Sequence, residues 1–377
     1  MAYIKTDDFI RIALDNNCDP AKITKYISEN IKPGYHMYAC THRLGHLRAK
    51  GLLPLDSGNA VSTGEVLKGT STLFDSDGSV RLQWVKTDVD ATAQLAAITT
   101  AIEELVASIT PLKPTTVPAP VIADLATVYI SNDVHLGALC WEPESGEDYN
   151  LDIGVARLKA AYDHLFETSM PSQIGIVLDL GDLMEADNDK NMTPKSGNIL
   201  AVDSRYPKVL RAAYTALIYA IQKALTKHQL VYFYNVQGNH DITSAHAIRE
   251  IIRAFFTNEP RVIIDDSPSP IKYHQHGATL LQFAHGDAMK MKDCGEVMAA
   301  DCQSIFSQTT HRFAHIGHFH KDSVYDGRLC RVESHRNLAP LNHWAHSMGY
   351  RRNPGTMKAI TYSATDGEIS RSIYNVK

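Results

Sequence analysis

The sequence lacks the cysteine pattern of a secreted or zinc-stabilised protein. None of its cysteines forms a CxxC pair or a tight cluster, which disulfide frameworks and structural zinc sites require. We therefore expect reduced thiols, as in the cytoplasm. The six cysteines are Cys18, Cys40, Cys140, Cys294, Cys302 and Cys330.

The sequence also lacks an uncharged stretch long enough to span a bilayer. Its first residues, MAYIKTDDFIRIAL, carry charges where a signal peptide has an apolar core. Together these absences predict a cytoplasmic protein that has no membrane partner.

An excess of positive charge is absent as well. The net charge is -5, so any binding to nucleic acid has to come from a local basic patch. A hydrophobic content of 44% and a charged content of 21% are typical of a soluble globular protein. The length of 377 residues predicts one domain of ordinary enzyme size and a smaller one.

The clearest motif is YFYNVQGNHD at residues 232–241. An apolar, aromatic-rich run suited to a buried strand stops at a glycine, and Asn239, His240 and Asp241 follow at its carboxyl end. Ligands of open α/β sheets bind outside the carboxyl ends of strands, so these three side chains predict a metal or phosphate site. Taken alone, an Asx-type turn explains the stretch equally well.

Four other predicted strands end in the same way. DxH follows TVYIS at residue 133, GD follows IGIVLDL at 181, HGD follows TLLQFA at 285, and GHFH follows RFAHI at 317. In DxH and HxH, residues i and i+2 lie on one face of an extended segment, so both side chains can reach one ion. Because His, Asp and Asn bind divalent metals, the strand ends together predict a metal site.

The series DxH, GD, GNHD, HG and GHxH resembles the calcineurin-like metallophosphoesterases, over residues 127–320 and the strands that follow. The segments GDLMEADN, SGNILAVDSRYPKVLRA, DDSPSP and ESHRNLAPLNHWAHSMGYR are similar to bacteriophage-encoded members, which implies a phage-encoded protein acting in the host cytoplasm. The resemblance implies an α/β fold in which two packed β-sheets are flanked by helices, with the motif loops at one edge.

The resemblance also implies two divalent metal ions bridged by Asp182. Mixed nitrogen and oxygen ligands favour manganese, with iron and zinc as alternatives, over calcium. The residues that complete the two sites are Asp133, His135 and His320 for one and Asn239, His285 and His318 for the other.

Catalysis is assigned by the same resemblance to His240, which would protonate the leaving oxygen or stabilise the transition state. Asp241 is expected to orient His240, as carboxylates commonly do for imidazoles. Capping of the helix that begins near Ser244 is an equally good interpretation of Asp241, and a structural imidazole is the alternative for His240.

Residues 1–90 are predicted to form a small helix-turn-helix or winged-helix domain. Three short helices, the second opened by Asp19 and Pro20, precede two β-rich segments that flank Asp77-Gly78, a favoured hairpin turn. A protein-docking module with a solvated charged face is the alternative to DNA binding. The candidate DNA contacts are Arg43, His46, Arg48, Lys50 and Arg81.

Residues 91–124 are predicted to connect this domain to the rest of the chain. Residues 91–109 have helical spacing of apolar residues, and LKPTTVPAP is typical of a semi-rigid linker. The apolar stripe packs on its own domain or, as the alternative, forms the seam of a homodimer. Its members are Leu95, Ile98, Ile102, Leu105 and Ile109.

Residues 125–377 are predicted to form the catalytic domain, because strands first alternate with helices and then follow one another. Two polar stretches in it are candidate substrate contacts. Residues 187–206 form a long loop, for which a surface Ω-loop is the alternative. Residues 335–352 form a polar and aromatic run, for which an ordered loop on the sheet edge is the alternative.

These features predict a metal-dependent phosphoric ester hydrolase, and more specifically a phosphodiesterase or nuclease acting on DNA recruited by the N-terminal domain. A phosphatase or phosphodiesterase for small nucleotides, including cyclic ones, is the first alternative. A DNA-binding regulator without catalytic activity is the second.

Overall fold

The chain divides into two compact units, Met1–Glu103 and Glu104–Lys377. The computed structural model of the chain describes residues 4–50, 52–53, 65–74, 80–89, 100, 110–118, 121–194, 196–349, 351 and 354–376. The domain limits 1–90, 91–124 and 125–377 stay a prediction.

In its described residues up to Val89, the first unit has three helices followed by a pair of antiparallel strands. The α2 helix begins as predicted, because Asp19 Oδ1 accepts hydrogen bonds from the N–H groups of Ala21 and Lys22 and Pro20 takes the first helical position. The elements are α1 (Thr6–Asp15), α2 (Pro20–Asn30), α3 (Met37–Ala49), β1 (Glu65–Phe74) and β2 (Val80–Val89).

These three helices enclose an apolar core of their own, which includes Phe9, Ile23, Ile27 and Leu44. The order of elements agrees with the sequence-based expectation, and the winged-helix assignment stays a prediction. The predicted turn at Asp77-Gly78 lies outside the described residues, and so does the stripe proposed for a homodimer: Leu95, Ile98, Ile102, Leu105 and Ile109.

The second unit holds the remaining helices and strands. Its helices are α4 (Glu142–Ser145), α5 (Leu151–Thr168), α6 (Tyr206–Lys227), α7 (Ile242–Phe255), α8 (Cys294–Asp301), α9 (Gln303–Gln308) and α10 (His343–Ser347). Its strands are β3 (Ile122–Ser131), β4 (Ser172–Asp179), β5 (Leu230–Asn235), β6 (Val262–Ile264), β7 (Ile271–His276), β8 (Thr279–Ala284), β9 (His311–Ile316), β10 (Ser323–Asp326), β11 (Arg331–Ser334), β12 (Thr356–Ser363) and β13 (Gly367–Asn375).

The strands of the second unit form two sheets. One has the order β13-β12-β3-β4-β5-β6, in which β3 to β6 are parallel and β12 and β13 are antiparallel to their neighbours. The other has the order β10-β11-β9-β8-β7, in which β11, β9 and β8 are parallel. Parallel strands end at the same edge of a sheet, so the loops after β3, β4 and β5 are neighbours, as are those after β8 and β9.

Alternate residues of β3 point to opposite faces of the first sheet and fill different cores. Tyr129 lies in the core that α5, α6 and α7 cover, whereas Val128 and Ile130 lie in a core shared with Phe283 of the second sheet. On the far side of the second sheet, Met298 of α8 belongs to a further core. The second unit therefore has two packed β-sheets flanked by helices, which confirms the predicted α/β fold.

The proline-rich segment is attached to the second unit over residues 112–115. The backbone N–H of Leu112 donates to the carbonyl of Phe255 (2.6 Å), and the N–H and hydroxyl of Thr115 both donate to Glu259 Oε2 (2.7 and 2.8 Å). Arg261 contacts Thr115 and Glu259 as well. Residues 112 and 115 are therefore anchored to the second unit, and the role of this segment as a semi-rigid linker stays a prediction.

Two further observations concern features that the sequence lacks. All six cysteines are free and buried, in agreement with the predicted reduced thiols. Within the described residues, none of the helices has both the length and the apolar composition needed to cross a bilayer.

Candidate metal centre

The predicted metal ligands lie in the loops that follow β3, β4, β5, β8 and β9, and the packing of the two sheets brings these loops together. Three overlapping groups of side chains offer ligand atoms within 4.8 Å of one another. The groups are Asp133, His135 and His320; His135, Asp182 and His240; and Asp182, His285 and His318.

Five of these ligands have a left-handed backbone. Non-glycine residues rarely adopt positive φ, which costs on the order of 1–3 kcal/mol each and persists only where the surroundings fix it. The prediction that DxH and HxH reach an ion from an extended segment is therefore wrong, since the side chains converge from tight turns. The φ values are 44° at Asp133, 49° at His135, 52° at Asp182, 66° at His318 and 52° at His320.

Backbone hydrogen bonds join the first two loops. The N–H of Asp133 donates to the carbonyl of Gly181 (3.2 Å), and the N–H of His135 donates to the carbonyl of Asp182 (2.9 Å). Between the two ligands of the first loop, the Val134 carbonyl accepts a hydrogen bond from the buried hydroxyl of Tyr149 (2.5 Å). These bonds hold the strained turns in place.

Two motif glycines are required for close approach. A Cβ on Gly238 would lie 2.0 Å from Asp182 Oδ1 and 2.2 Å from the Asp182 nitrogen. A Cβ on Gly317 would lie 1.9 Å from Asn132 Oδ1 and 2.9 Å from Asp133 Oδ2. Any larger residue at either position would displace a ligand or its loop.

The first donor group consists of Asp133, His135 and His320. The Nε2 atoms of the two histidines lie 3.4 Å apart, and His320 Nε2 lies 3.2 Å from Asp133 Oδ1. Two imidazole nitrogens and a carboxylate oxygen thus converge, which is the donor set that a transition-metal cation takes. The group contains ligands from both sheets.

The second donor group consists of Asp182, Asn239, His285 and His318. His285 Nε2 lies 3.2 Å from Asp182 Oδ2 and 3.1 Å from Asn239 Oδ1. Its Nδ1 donates to the carbonyl of Leu180 (2.9 Å), so the neutral ring keeps its lone pair on Nε2. That lone pair points among the oxygen donors.

His240 lies beside the shared ligand Asp182. Its backbone N–H donates to Asp182 Oδ1 (2.8 Å), and its Nδ1 lies 2.8 Å from the carbonyl of Glu185. A carbonyl only accepts, so Nδ1 carries a hydrogen and the ring orientation is fixed. The side chain of His240 is 16% exposed, which leaves part of the ring accessible to solvent.

Carboxylates dominate the electrostatics of the centre. Burial opposes the charged form of each histidine, yet Glu185 and Asp182 raise the pKa of His135 to about 9, and Asp182 raises that of His285 to about 10. Burial likewise opposes the charged form of Asp182, but the imidazoles of His285 and His135 hold its pKa well below the usual range. A buried site that stabilises positive charge so strongly fits divalent cations, and its donors fit manganese, iron or zinc.

Sequence reasoning missed Glu185, which is buried and positions a ligand. Its Oε2 lies 2.7 Å from Nδ1 of His135, so the carboxylate orients the ring and leaves Nε2 for the donor group. The sequence does place Glu185 three residues after Asp182 in GDLME, which indicates that it lies near the centre. The spacing does not indicate which histidine it contacts.

Asp241 has neither of its two predicted roles. Its carboxylate accepts hydrogen bonds from the N–H groups of Asp182 (3.3 Å), Met184 (3.2 Å) and Gly238 (3.0 Å). It does not cap α7, and in the described part of the chain no hydrogen bond joins it to the His240 ring. Its catalytic assignment is therefore corrected: Asp241 ties two metal-ligand loops together, and burial with the nearby Asp182 raises its pKa to about 7.

The cap of α7 is Asp187 from the long polar loop. Its carboxylate accepts hydrogen bonds from the N–H groups of Thr243 (2.9 Å) and Ser244 (2.7 Å). Asp187 is buried, so this first residue of the loop is structural. Substrate contact by the rest of the loop stays a prediction.

The five predicted DNA contacts have different environments. Arg43 is corrected to an internal contact, because it donates to the Ile4 carbonyl (2.7 Å) and lies 4.5 Å from the centre of the Phe9 ring. His46 and Lys50, four residues apart at the end of α3, are exposed, and Arg48 is half-buried. The side chain of Arg81 lies outside the part of the chain that the structure describes.

The run at residues 335–352 begins as part of the buried scaffold. The His335 carbonyl accepts a hydrogen bond from Asn132 (3.1 Å), and the amide of Asn337 lies 3.4 Å from Nδ1 of His320. The side chain of Trp344 lies outside the described residues, as do residues 350 and 352–353. A substrate groove along this run stays a prediction.

Comparison with known proteins gives no assignment at the level of sequence. No family model matches the chain. No curated protein matches it either.

Solved structures align with about two thirds of the chain at low similarity. A novel archaeal phosphodiesterase is 10% identical and covers 66% of this chain and 99% of its own, with a TM-score of 0.33. Vps29 from Chaetomium thermophilum is 11% identical and covers 66% of this chain and 96% of its own, with a TM-score of 0.31. A predicted phosphoesterase from Streptococcus pneumoniae is 10% identical and covers 67% of this chain and 98% of its own, with a TM-score of 0.27. TM-scores this low establish neither a common fold nor a common activity.

Proposed function

We propose that the chain is a dinuclear-metal-dependent phosphoesterase, specifically a phosphodiesterase or nuclease acting on DNA recruited through its first unit. The observation that carries this proposal is the position of Asp182. Its carboxylate belongs to one donor group with His285 and His318 and to another with His135 and His240. A carboxylate shared between two sets of donors is the natural bridge of a two-metal site.

The donors divide into two sets around that bridge. Asp133, His135 and His320 would hold one ion, and Asn239, His285 and His318 the other, as the resemblance to metallophosphoesterases implies. Two divalent ions bound there would supply an activated water and neutralise charge on a phosphoryl group. The donor types fit manganese, with iron and zinc as alternatives.

His240 supplies the proton chemistry in this proposal. Because its Nδ1–H is held by the Glu185 carbonyl, Nε2 is the atom left for the substrate. In the imidazolium form Nε2 donates a proton to the leaving oxygen, which is the role expected of a general acid beside a phosphoryl site. The backbone N–H bond to Asp182 fixes the distance between acid and bridge.

Recruitment of DNA by the first unit is inferred from the end of α3. His46 of α3 and Lys50, which follows the last residue of α3, are four residues apart and exposed, as expected of residues that contact phosphates from the end of a helix. The chain as a whole has a net charge of -5, so such a patch would act locally.

The test of catalysis is manganese-dependent cleavage of end-labelled single- and double-stranded DNA, with a mononucleotide as parallel substrate. Polymer cleavage that is lost in His240→Ala, with bound manganese nearly unchanged, supports the nuclease. His164→Ala, an exposed histidine of α5, is the matched control and should keep wild-type activity. Hydrolysis of the mononucleotide alone would assign the small-nucleotide alternative, and no hydrolysis of either would overturn the phosphoesterase.

The test of recruitment is the salt dependence of DNA binding by the full chain. His46→Ala with Lys50→Ala should weaken binding to all sequences and reduce the slope of log K against log salt by about 0.9 for each DNA phosphate that the variant no longer neutralises. Lys223→Ala, a partly exposed lysine of α6, is the control. An unchanged slope would favour a protein-docking role for the first unit.

A further inference from the structure

The side chain of Phe319 stands between two of the candidate metal ligands. It separates His318 from His320, and the residue is 39% exposed, three residues after the buried end of β9. Its Cα lies one residue, about 3.8 Å, from the Cα of each ligand. An aromatic surface is therefore open to solvent immediately beside the donors.

The backbone holds this ring in a defined place. The N–H of Phe319 donates to the carbonyl of Gly317 (2.8 Å), and His318 between them has a φ of 66°, which is a strained γ-turn. The N–H of His318 is fixed in turn by Asp133 Oδ2 (2.8 Å). Strain of this kind persists at sites where position matters more than stability.

Neighbouring residues support the ring from two directions. It makes an edge contact with the His318 imidazole, with centroids 5.5 Å apart and planes at 71°. Its Cε2 atom lies 3.6 Å from the point that a Cβ on Gly286 would occupy, so the ring rests over a residue without a side chain. The ring is thus placed by its surroundings while much of its surface stays uncovered.

We propose that Phe319 is the platform on which a base of the substrate stacks when the adjoining phosphodiester lies at the donor groups. This inference rests on the proposed phosphoesterase function and names the part of the substrate that this residue would hold, a base of a nucleotide or nucleic acid. Every base has a flat π-face, so stacking on Phe319 holds any of them and tolerates any sequence. Phosphorylated proteins and sugar phosphates without a base gain nothing from the ring.

The test compares dinucleotides that carry both bases with dinucleotides that are abasic on the 5′ or the 3′ side. The full chain with bound manganese is assayed as wild type, Phe319→Leu and Phe319→Tyr. Phe319→Leu should raise KM for the base-bearing substrate about 5- to 100-fold and leave kcat within about twofold, since the interaction is made equally in ground and transition states. Phe319→Tyr, which keeps a ring, should restore KM.

Abasic substrates and a control variant identify the cause of any change. One of the abasic dinucleotides should have a high KM with wild type and show no further loss with Phe319→Leu. Tyr325→Leu, which removes an exposed aromatic of β10, should behave as wild type. Equal KM changes on base-bearing and abasic substrates would overturn the inference, because the ring would then only support the loop.

A fluorescence measurement keeps the test decisive if a variant does not fold. A dinucleotide containing 2-aminopurine should lose fluorescence on binding to wild type and keep it on binding to Phe319→Leu or, if that variant is unstable, Phe319→Met. Fluorescence that is unchanged on binding to wild type would overturn the inference without any variant. If wild type hydrolyses no dinucleotide, the proposed function fails and the inference falls with it.

Discussion

Buried histidines occur at both ends of the strands in the second unit, and their surroundings differ between the two ends. At the carboxyl ends, His135 follows β3 of the first sheet and His285 follows β8 of the second, and both face carboxylates. At the amino ends, His228 lies beside the first residue of β4, and its ring hydrogen-bonds to neutral groups. Its Nδ1 donates to the Ser172 carbonyl (2.8 Å), and its Nε2 accepts from the Tyr129 hydroxyl (2.8 Å).

The protonation of the two ends differs accordingly. Burial lowers the pKa of His228 to about 4, whereas carboxylates raise the pKa of His135 to about 9. The backbone differs too, since His228 has an ordinary φ of -111° and His135 a left-handed one. Burial alone therefore does not identify a functional histidine. An excess of nearby carboxylates, as at His135 and His285, or a strained backbone, as at His135 and His318, is the better indication, because neither helps the fold.

The largest expected effect comes from removing the shared carboxylate. Asp182→Asn should reduce bound manganese and lower kcat about 10³-fold or more, since metal-supplied charge stabilisation is worth several kcal/mol. Metal analysis and the DNA cleavage assay measure the two changes. Asp163→Asn, an exposed carboxylate paired with Lys223, is the control and should change neither. Retention of two metal ions by Asp182→Asn would contradict the bridge.

A matched pair of glycine substitutions compares the effect of overpacking at the carboxyl and amino ends of the first sheet. Gly238→Ala places a Cβ 2.0 Å from Asp182 Oδ1, and Gly175→Ala places one 2.4 Å from the His228 ring. Each should cost about 1–3 kcal/mol of unfolding free energy by overpacking, measured with urea. Only Gly238→Ala should weaken manganese binding, by at least about tenfold in calorimetry. Equal weakening of manganese binding by Gly175→Ala would show that packing at the amino ends of the strands also affects the metal centre.

Acid should destabilise the fold through His228, the buried neutral histidine at the amino ends of the strands. Between pH 6.5 and 4 the unfolded chain protonates residue 228 while the folded chain does not, so the free energy of unfolding falls as the pH falls. The loss amounts to about 3 kcal/mol when pH 4 is reached. His228→Gln should reduce the pH dependence in this window, as seen in urea unfolding at several pH values. An unchanged slope would mean that His228 is not buried as a neutral ring.

The smallest effect concerns two buried tyrosine hydroxyls. Tyr149→Phe removes the donor to the Val134 carbonyl, and Tyr129→Phe removes the donor to His228. Each should cost about 1–2 kcal/mol of unfolding free energy, because a buried acceptor loses its partner. Tyr149→Phe should in addition weaken manganese binding by about tenfold, whereas Tyr129→Phe should leave it unchanged. Identical metal affinities in the two variants would show that the Tyr149 hydroxyl does not support the metal centre.

The elements that position the site are largely predictable from the sequence. Strand β8 has the predicted limits, and the polar residues after five strands meet because parallel strands end together. The roles of Glu185, Asp187 and Asp241 were not predictable. Each depends on partners about 50 residues or more away in sequence, and a carboxylate can orient an imidazole, cap a helix or tie loops with the same local spacing.

Conformation at the ligands was also beyond sequence reasoning. The spacing of DxH after a strand is that of a strand that continues, whereas Asp133 and His135 have positive φ and donate backbone hydrogen bonds to the Gly181 and Asp182 carbonyls, about 50 residues away. Arg43 shows the same limit in the first unit, where basic spacing on a helix cannot distinguish a DNA contact from a cation resting on Phe9.

The left-handed ligands also constrain how this chain can change. Of the eight non-glycine residues with positive φ among those described, five are candidate ligands, and glycine or asparagine would relieve the strain at each. Selection for thermal stability alone would therefore favour the loss of ligands such as Asp133 and His318. Their persistence under mutation depends on selection for activity, and a thermostability screen on this chain needs an activity filter to keep its metal centre.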